Sequence, residues 1–258
     1  MPIPIAPPPS RIGSVGYLNA APLTRGIESD VLFATPAQLA QRLQRNELEA
    51  ALVSIVEVLF SDRYDVLDGV AIASQGEVKS VLLAHRLPLA QIRTVFCDTA
   101  SLTSVSLLRV LLGARGLQPE FRPLAHYAAT AGHDAVLLIG DPALDFLLAP
   151  HAHRVWDLGA AWQELTGLPF VYAAWALRRG ADTPALRQRL RAAKDQGLSE
   201  LDALVQERTE YDYAFRKTYL GGNIRYDLGP AEKRGVARFV ELLRQHQPRP
   251  VHEPHYVV

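Results

Sequence analysis

Four hydroxyl residues crowd into the stretch CDTASLTS: Thr99, Ser101, Thr103 and Ser104. The stretch lies where an apolar run ends and a helical pattern begins, so these hydroxyls meet the free backbone N–H groups of a first helical turn. Neutral donors converging on a helix start are a carboxylate site. Capping alone accounts for one or two of the four hydroxyls. The excess points to a ligand, with Thr103 and Ser104 as the better candidates. GYLN places Tyr17 and Asn19 just beyond the first strand, where open α/β sheets bind ligands. Asn19 offers a donor and an acceptor without charge, and Tyr17 a flat wall with a polar tip, which together suit a small polar ring. Asn19-Ala-Ala-Pro22 also reads as a plain turn.

Three further segments add candidates. SQGEVKSV supplies Gln75, Gly76 and Ser80; a glycine lets backbone approach a ligand closely, and Ser80 on a hinge strand faces a cleft. The bland alternative is a hairpin glycine with a satisfied strand hydroxyl. Ser54 ends the LEAALVS strand in a similar position. Gly140 and Asp141 form a second strand-to-helix turn, where Asp141 is read first as a cap. Tyr172 shares a run with Phe170 and Trp175, whose first role is packing, while Tyr172 could line a cleft. Glu57 and Glu77 have no partner at a spacing that suggests a carboxylate dyad, so no general base is evident.

Cofactor signals are missing. There is no Walker A and no GxGxxG, so no nucleotide cofactor is expected. His151 and His153 flank a turn, and His246, His252 and His255 lie in a Pro-rich tail expected to be mobile. None has metal-ligand spacing with a supporting Cys or carboxylate, and no metal is expected. Cys97 is the single cysteine, which leaves no intrachain disulfide and suggests an inert buried thiol in a reducing compartment.

The elements that position these residues follow an α/β pattern. Arg11 to Val15 reads as a strand, PAQLAQRLQRNEL as a helix with Thr35 as N-cap and Pro36 at its first position, and Ala50 to Val53 as a buried strand turning helical near Ile55. Val70 to Ser74 and RTVFCD are strands, ASLTSVSLLRVLLGARG is a helix closed by Gly116, and DAVLLIGDPAL repeats strand, turn and helix. From Thr183 three helical stretches follow without strands. The simplest arrangement is two lobes, 1–88 with 180–258 and 89–179, joined by extended crossings at SVLLAHR and FVYAAWALR. Two crossings make a hinge and a closing cleft.

The chain has 258 residues, 48% hydrophobic and 21% charged, with 27 basic against 27 acidic side chains. That length buries a real core without staples. Zero net charge gathers no polyanion, so nucleic acid is not an expected partner. No run approaches the ~20 apolar residues that cross a bilayer, so no membrane partner is expected either. MPIPIAPPPSR has neither a basic n-region nor an apolar h-region, and the expectation is a cytoplasmic protein.

GYLNAAPL, LEAALVSIVEV, IASQGEVKSVLL, CDTASLTSVSLLRVLL, AVLLIGDPAL, WDLGAAWQELTGLPFVYAAWA and YLGGNIRYDLG, in this order, resemble the chorismate dehydratase family of the futalosine route to menaquinone. The resemblance runs from Arg11 to about Phe239. It implies a two-lobed α/β fold like the periplasmic binding proteins of type II. It also implies a cofactor-free carbon–oxygen lyase that converts chorismate, a small anionic substrate, to 3-[(1-carboxyvinyl)oxy]benzoate and water. Asn19 and Ser80 are then the candidate catalytic residues, with Tyr17, Ser54, Gln75, Gly76, Thr103, Ser104, Gly140, Asp141 and Tyr172 binding substrate. The alternatives are the sister enzyme of the route, which makes dihydroxynaphthoate, and a non-catalytic anion-binding protein of the same fold. GYLN, LIGD and TGLPF look like the dehydratase rather than the sister.

Overall fold

The inner strands β3 (Ala50–Ser54) and β8 (Ala135–Ile139) are continuous apolar runs, as strands covered on both faces require. The computed structural model describes residues 11–98, 101–246 and 249–258; the N-terminal arm and Thr99 lie outside the described residues. One sheet is built from β1 (Ile12–Ser14), β2 (Val31–Phe33), β3 (Ala50–Ser54), β4 (Tyr64–Ser74), β10 (Phe170–Arg178) and β11 (Tyr256–Val257), in the order β11-β4-β10-β3-β1-β2. The second contains β5 (Val81–His85), β6 (Thr94–Cys97), β7 (Glu120–Pro123), β8 (Ala135–Ile139) and β9 (Arg154–Asp157), in the order β7-β6-β8-β5-β9. β3 and β8 are buried at every position.

Helices cover these sheets. They are α1 (Pro36–Gln44), α2 (Ile55–Leu59), α3 (Leu102–Gly113), α4 (Gly140–Leu148), α5 (Leu158–Thr166), α6 (Pro184–Ser199), α7 (Leu201–Glu207), α8 (Tyr213–Thr218) and α9 (Pro230–His246). The start of α1 is fixed by a capping box: Thr35 Oγ1 accepts from the Gln38 N–H, and the Gln38 side chain accepts from the Thr35 N–H, at 3.3 and 3.1 Å. With Pro36 at the first position, the local sequence alone specifies this boundary. GYLNAAPL is a 3₁₀ turn over Leu18–Leu23 rather than an open loop.

Both expected crossings are sheet strands. SVLLAHR contributes β5, which pairs with β8 and β9 in the second sheet. FVYAAWALR contributes β10, which pairs with β3 and β4 in the first. The chain therefore passes between sheets at residues 75–80 and 167–169, so residues 81–88 go with the second sheet and 170–178 with the first. A run of apolar residues cannot announce which sheet it joins, because strand pairing is non-local. The tail is docked rather than mobile: β11 pairs with β4, the His252 N–H donates to Leu59 O at 2.8 Å, and His255 Nδ1 lies 3.0 Å from Asp65 Oδ1.

One buried apolar cluster runs through both sheets, and a small second one (Leu82, Ala84, Val136, Leu138 and Ala143) lies apart from it. Edge-to-face contacts join Trp162 of α5 to Phe170 of β10 and Phe239 of α9, with centroids 5.1 and 5.8 Å apart. Phe170 and Trp175 are thus core residues, 1% and 0% exposed. The two sheets share this core beside the second crossing.

Candidate active site

A narrow cleft with about 70 Å³ of enclosed space opens between the sheets, formed where β1, β3, β8 and the first crossing end and α3 begins. Its walls are apolar, from Val15, Leu52, Val53, Ile72, Val78, Val81 and Ile139. Its polar lining is Tyr17, Asn19, Ser54, Ser80, Ser101, Ser104 and Tyr172. No lining residue is Asp, Glu, Lys, Arg or His among the described residues. The polar groups that face the cleft are neutral, hydroxyls and one carboxamide.

Each of these side chains has a structural reason for its place. Ser101 is the N-cap of α3, with its Oγ accepting from the Ser104 N–H at 3.4 Å and from the Ser104 hydroxyl at 3.3 Å. The two serines are i and i+3, hence on one helix face, and both line the cleft. Ser80 ends the first crossing, 1% exposed, with its hydroxyl donating to Val78 O at 3.3 Å. The crossing itself is held by Asp157, the N-cap of α5. Its carboxylate accepts from Val78 and Lys79 at 3.1 and 2.7 Å and from Gly159 and Ala160 at 2.9 and 3.0 Å. Burial still raises the Asp157 carboxyl above the usual range, opposed by those four N–H groups. Tyr172 pairs with Ser74 Oγ at 3.0 Å.

Tyr17 packs flat against Gly140 across the lobes. Gly140 has φ +60°, and a Cβ there would sit 3.0–3.1 Å from the Tyr17 ring, so glycine is required both for the backbone and for the aromatic wall. Burial pushes the Tyr17 phenol up to about 12, with Asp98 and Asp141 adding to the rise. Burial also raises Tyr172 well above a free phenol. Both stay protonated and can donate to an anion.

Seven of the eleven residues expected from sequence line this cleft: Tyr17, Asn19, Ser54, Ser80, Ser104, Gly140 and Tyr172. Four do not. Thr103 is 0% exposed. Its Oγ1 pairs with Ser54 Oγ and accepts from the Val56 N–H at 3.1 Å, while its own N–H donates to Ser54 Oγ at 2.9 Å. It pins α3 to the β3–α2 junction instead of facing a ligand. Asp141 does not cap its helix, whose N-cap is Ile139; its carboxylate accepts from the Leu18 N–H at 3.1 Å and so latches one lobe to the other. Gln75 is exposed and bonded to Arg225. Gly76, at φ +95°, presses its carbonyl against Gly159. Ser101 is the lining hydroxyl that the sequence reading undervalued.

The sequence matches the family described as menaquinone biosynthesis over residues 10–245. A protein of Thermus thermophilus named chorismate dehydratase is 34% identical, with 91% of this chain and 95% of that protein aligned. Among solved structures, a protein of Archaeoglobus fulgidus superposes with TM-score 0.72 at 15% identity, covering 91% of this chain and 96% of that one. The alkanesulfonate-binding protein of Xanthomonas axonopodis pv. citri, solved with MOPS, gives 0.69 at 14%, covering 98% and 99%. The structural likenesses show the fold, a two-lobed α/β architecture of the periplasmic-binding-protein type. The sequence match spans nearly all the described residues and contains the segments that build the cleft, and on it the chain belongs to the menaquinone biosynthesis family.

Proposed function

We propose that this chain is a chorismate dehydratase, a hydro-lyase that eliminates water from chorismate to give 3-[(1-carboxyvinyl)oxy]benzoate. The observation that carries the mechanism is the chemistry of the cleft, whose lining offers neutral donors at a helix start and no ionised base. Elimination removes the hydrogen on ring carbon 3 and the hydroxyl on carbon 4, and aromatisation drives it. Carbon 3 is conjugated through one ring double bond with the ring carboxylate. Donors on that carboxylate therefore gain strength as negative charge flows towards it in the transition state. Ser101, Ser104 and the first turn of α3 take this role, with Ser54 beside them.

The proton on carbon 3 needs an acceptor, and Asn19, Ser80 and the two phenols cannot supply one at neutral pH. The substrate's own enolpyruvyl carboxylate is the base in this proposal, held within reach by Asn19 and Ser80. Positioning an internal base is worth a large effective concentration. The proton and the carbon 4 hydroxide leave together as water, so atoms balance. Lobe closure about the shared core excludes solvent and strengthens every hydrogen bond in the cleft.

Incubating the purified protein with chorismate tests this reading. The expected result is an aromatic absorbance and a product lighter than chorismate by one water. Unchanged chorismate, bound or unbound, contradicts it and returns the chain to the sister-enzyme or binding-protein alternatives. An ester of the enolpyruvyl carboxylate should bind without losing water, and normal turnover of that ester removes the internal base.

A further inference from the structure

Tyr211 is a bulky residue held in a backbone conformation that suits glycine or asparagine. Its φ is +60°, in the left-handed region where a Cβ crowds the next carbonyl. The loop that carries it, residues 208–212 between α7 and α8, is locked from within. Arg216, 7% exposed, donates to Val205 O at 2.9 Å, to Glu210 O at 3.0 Å and to Tyr211 O at 2.5 Å. Asp212 caps α8, accepting from the Phe215 N–H at 2.8 Å. A strained residue persists only where its surroundings over-determine it, and here a buried guanidinium on three backbone carbonyls does so.

The side chain that this conformation aims reaches α4. The Tyr211 hydroxyl donates to Asp145 Oδ1 at 2.9 Å and lies 3.2 Å from the Asp141 carbonyl oxygen, the two acceptors being i and i+4 on one helix face. The contact joins the two halves of the molecule. α7 packs on the Leu18–Leu23 turn, and Arg25 just past that turn pairs with Glu200 and Glu207, each at 2.7 Å, so the loop goes with the first sheet. α4 packs on β5 and β8 of the second. Its first turn is a junction for the cleft: the Gly140 N–H donates to Ser80 O at 2.8 Å, the Asp141 carboxylate accepts from the Leu18 N–H at 3.1 Å, and Gly140 backs the Tyr17 ring. Ser80 lines the cleft, as do Tyr17 and Asn19 on either side of Leu18.

We propose that Tyr211 is a positioning residue whose hydroxyl clasps the first turn of α4 against the turn that carries Tyr17 and Asn19, and so holds the two walls of the cleft together. The enclosed space of about 70 Å³ lies below the ~300 Å³ at which small-molecule sites begin. A ring-sized ligand therefore enters when the walls part, and the clasp breaks and re-forms around it. The clasp acts on any ligand of this cleft and does not rest on the dehydratase reading.

Tyr211→Phe keeps the ring edge-to-face on Phe215, with centroids 5.4 Å apart, and deletes the clasping oxygen. In ligand-free, ¹⁵N-labelled protein the Leu18 amide should exchange with solvent about fivefold faster than in the parent, the scale of one net hydrogen bond. Amides of β3 and β8 should keep their parental rates. Tyr211→Asn, which suits the left-handed backbone but is too short to reach α4, should give the same rise. Tyr213→Phe is the matched control, an exposed tyrosine on the same segment, and should change nothing. Calorimetric titration with 3-[(1-carboxyvinyl)oxy]benzoate should show about fivefold weaker binding to Tyr211→Phe, since the ligand must then close the walls without the clasp. A parental Leu18 rate in Tyr211→Phe or Tyr211→Asn, an equal acceleration in β3 and β8, the same change in Tyr213→Phe, or parental affinity in Tyr211→Phe overturns the proposal. If the parent neither binds this compound nor dehydrates chorismate, the dehydratase reading falls, and the Leu18 exchange still decides the role of Tyr211.

Discussion

Replacing Thr103 by Val separates a residue that holds the cleft together from one that touches substrate. The substitution conserves shape and removes one oxygen, which pairs with Ser54 Oγ and accepts from the Val56 N–H at 3.1 Å. Stranding that N–H in a site of 0% exposure costs ~1–3 kcal/mol, and the Ser54 hydroxyl loses a partner worth about 1 kcal/mol. Ser54 Oγ still accepts from the Thr103 N–H at 2.9 Å, so the sum stays at roughly 2–4 kcal/mol. For a chain of this length, each kcal/mol moves Tm by ~2–4 °C, giving a fall of roughly 5–15 °C. Thermal melting by circular dichroism reads this directly, and chorismate kinetics at 20 °C should show kcat/KM within about threefold of the parent. The contrast is Ser104→Ala, expected to move Tm little and to raise KM. An unmoved Tm in Thr103→Val together with a tenfold rise in KM refutes the reasoning, since the hydroxyl would then be bonding the ligand.

Three further outcomes are expected. Asn19→Ala should lower kcat by about 10²-fold, the scale of one lost transition-state donor, and raise KM far less; an unchanged kcat removes Asn19 from the chemistry. Gly140→Ala forces a Cβ to within 3.0–3.1 Å of the Tyr17 ring at φ +60°, so it should cost ~1–2 kcal/mol of strain and weaken substrate binding, and a parent-like Tm and KM would show that Tyr17 is no wall. Burial holds the Asp141 carboxyl above the usual range against the opposing Leu18 N–H. Its native form therefore binds a proton more readily than the unfolded form, and its stability contribution grows as pH falls through the raised value, reaching completion below ~3.9. Asp141→Asn keeps an oxygen for Leu18, so its Tm advantage over the parent should be largest at neutral pH and shrink on acidification; an advantage independent of pH contradicts the assignment.

What the sequence could and could not reveal has physical causes. The capping box at Thr35, the hydroxyl-rich start of α3 and the glycine turn at Gly140 are local signals, and each was legible. Thr103 and Ser104 look alike in sequence, yet adjacent helical residues point ~100° apart, so one faces Ser54 and the other the cleft. The i, i+3 pairing of Ser101 with Ser104 was the signal that could have chosen correctly. The latch from Asp141 to Leu18 joins residues 123 apart in the chain and has no local trace. The first half of β4 was hidden because Asp65, Asp68 and Gly69 interrupt its apolar pattern, with Gly69 at φ +81° and register shifts against β10 marking the irregularity. The pattern of the docked tail, Pro-rich with three histidines, resembles a solvated end, and only its pairing with β4 makes it structure.

The central claim is that a ring dianion is held between the lobes by neutral donors. A crystal structure with 3-[(1-carboxyvinyl)oxy]benzoate tests it most directly. The account predicts the ring carboxylate on Ser101, Ser104 and the first turn of α3, and the enolpyruvyl carboxylate within hydrogen-bond reach of Asn19 Nδ2 and Ser80. A ligand seated outside the cleft, or with its ring carboxylate turned away from α3, would contradict it.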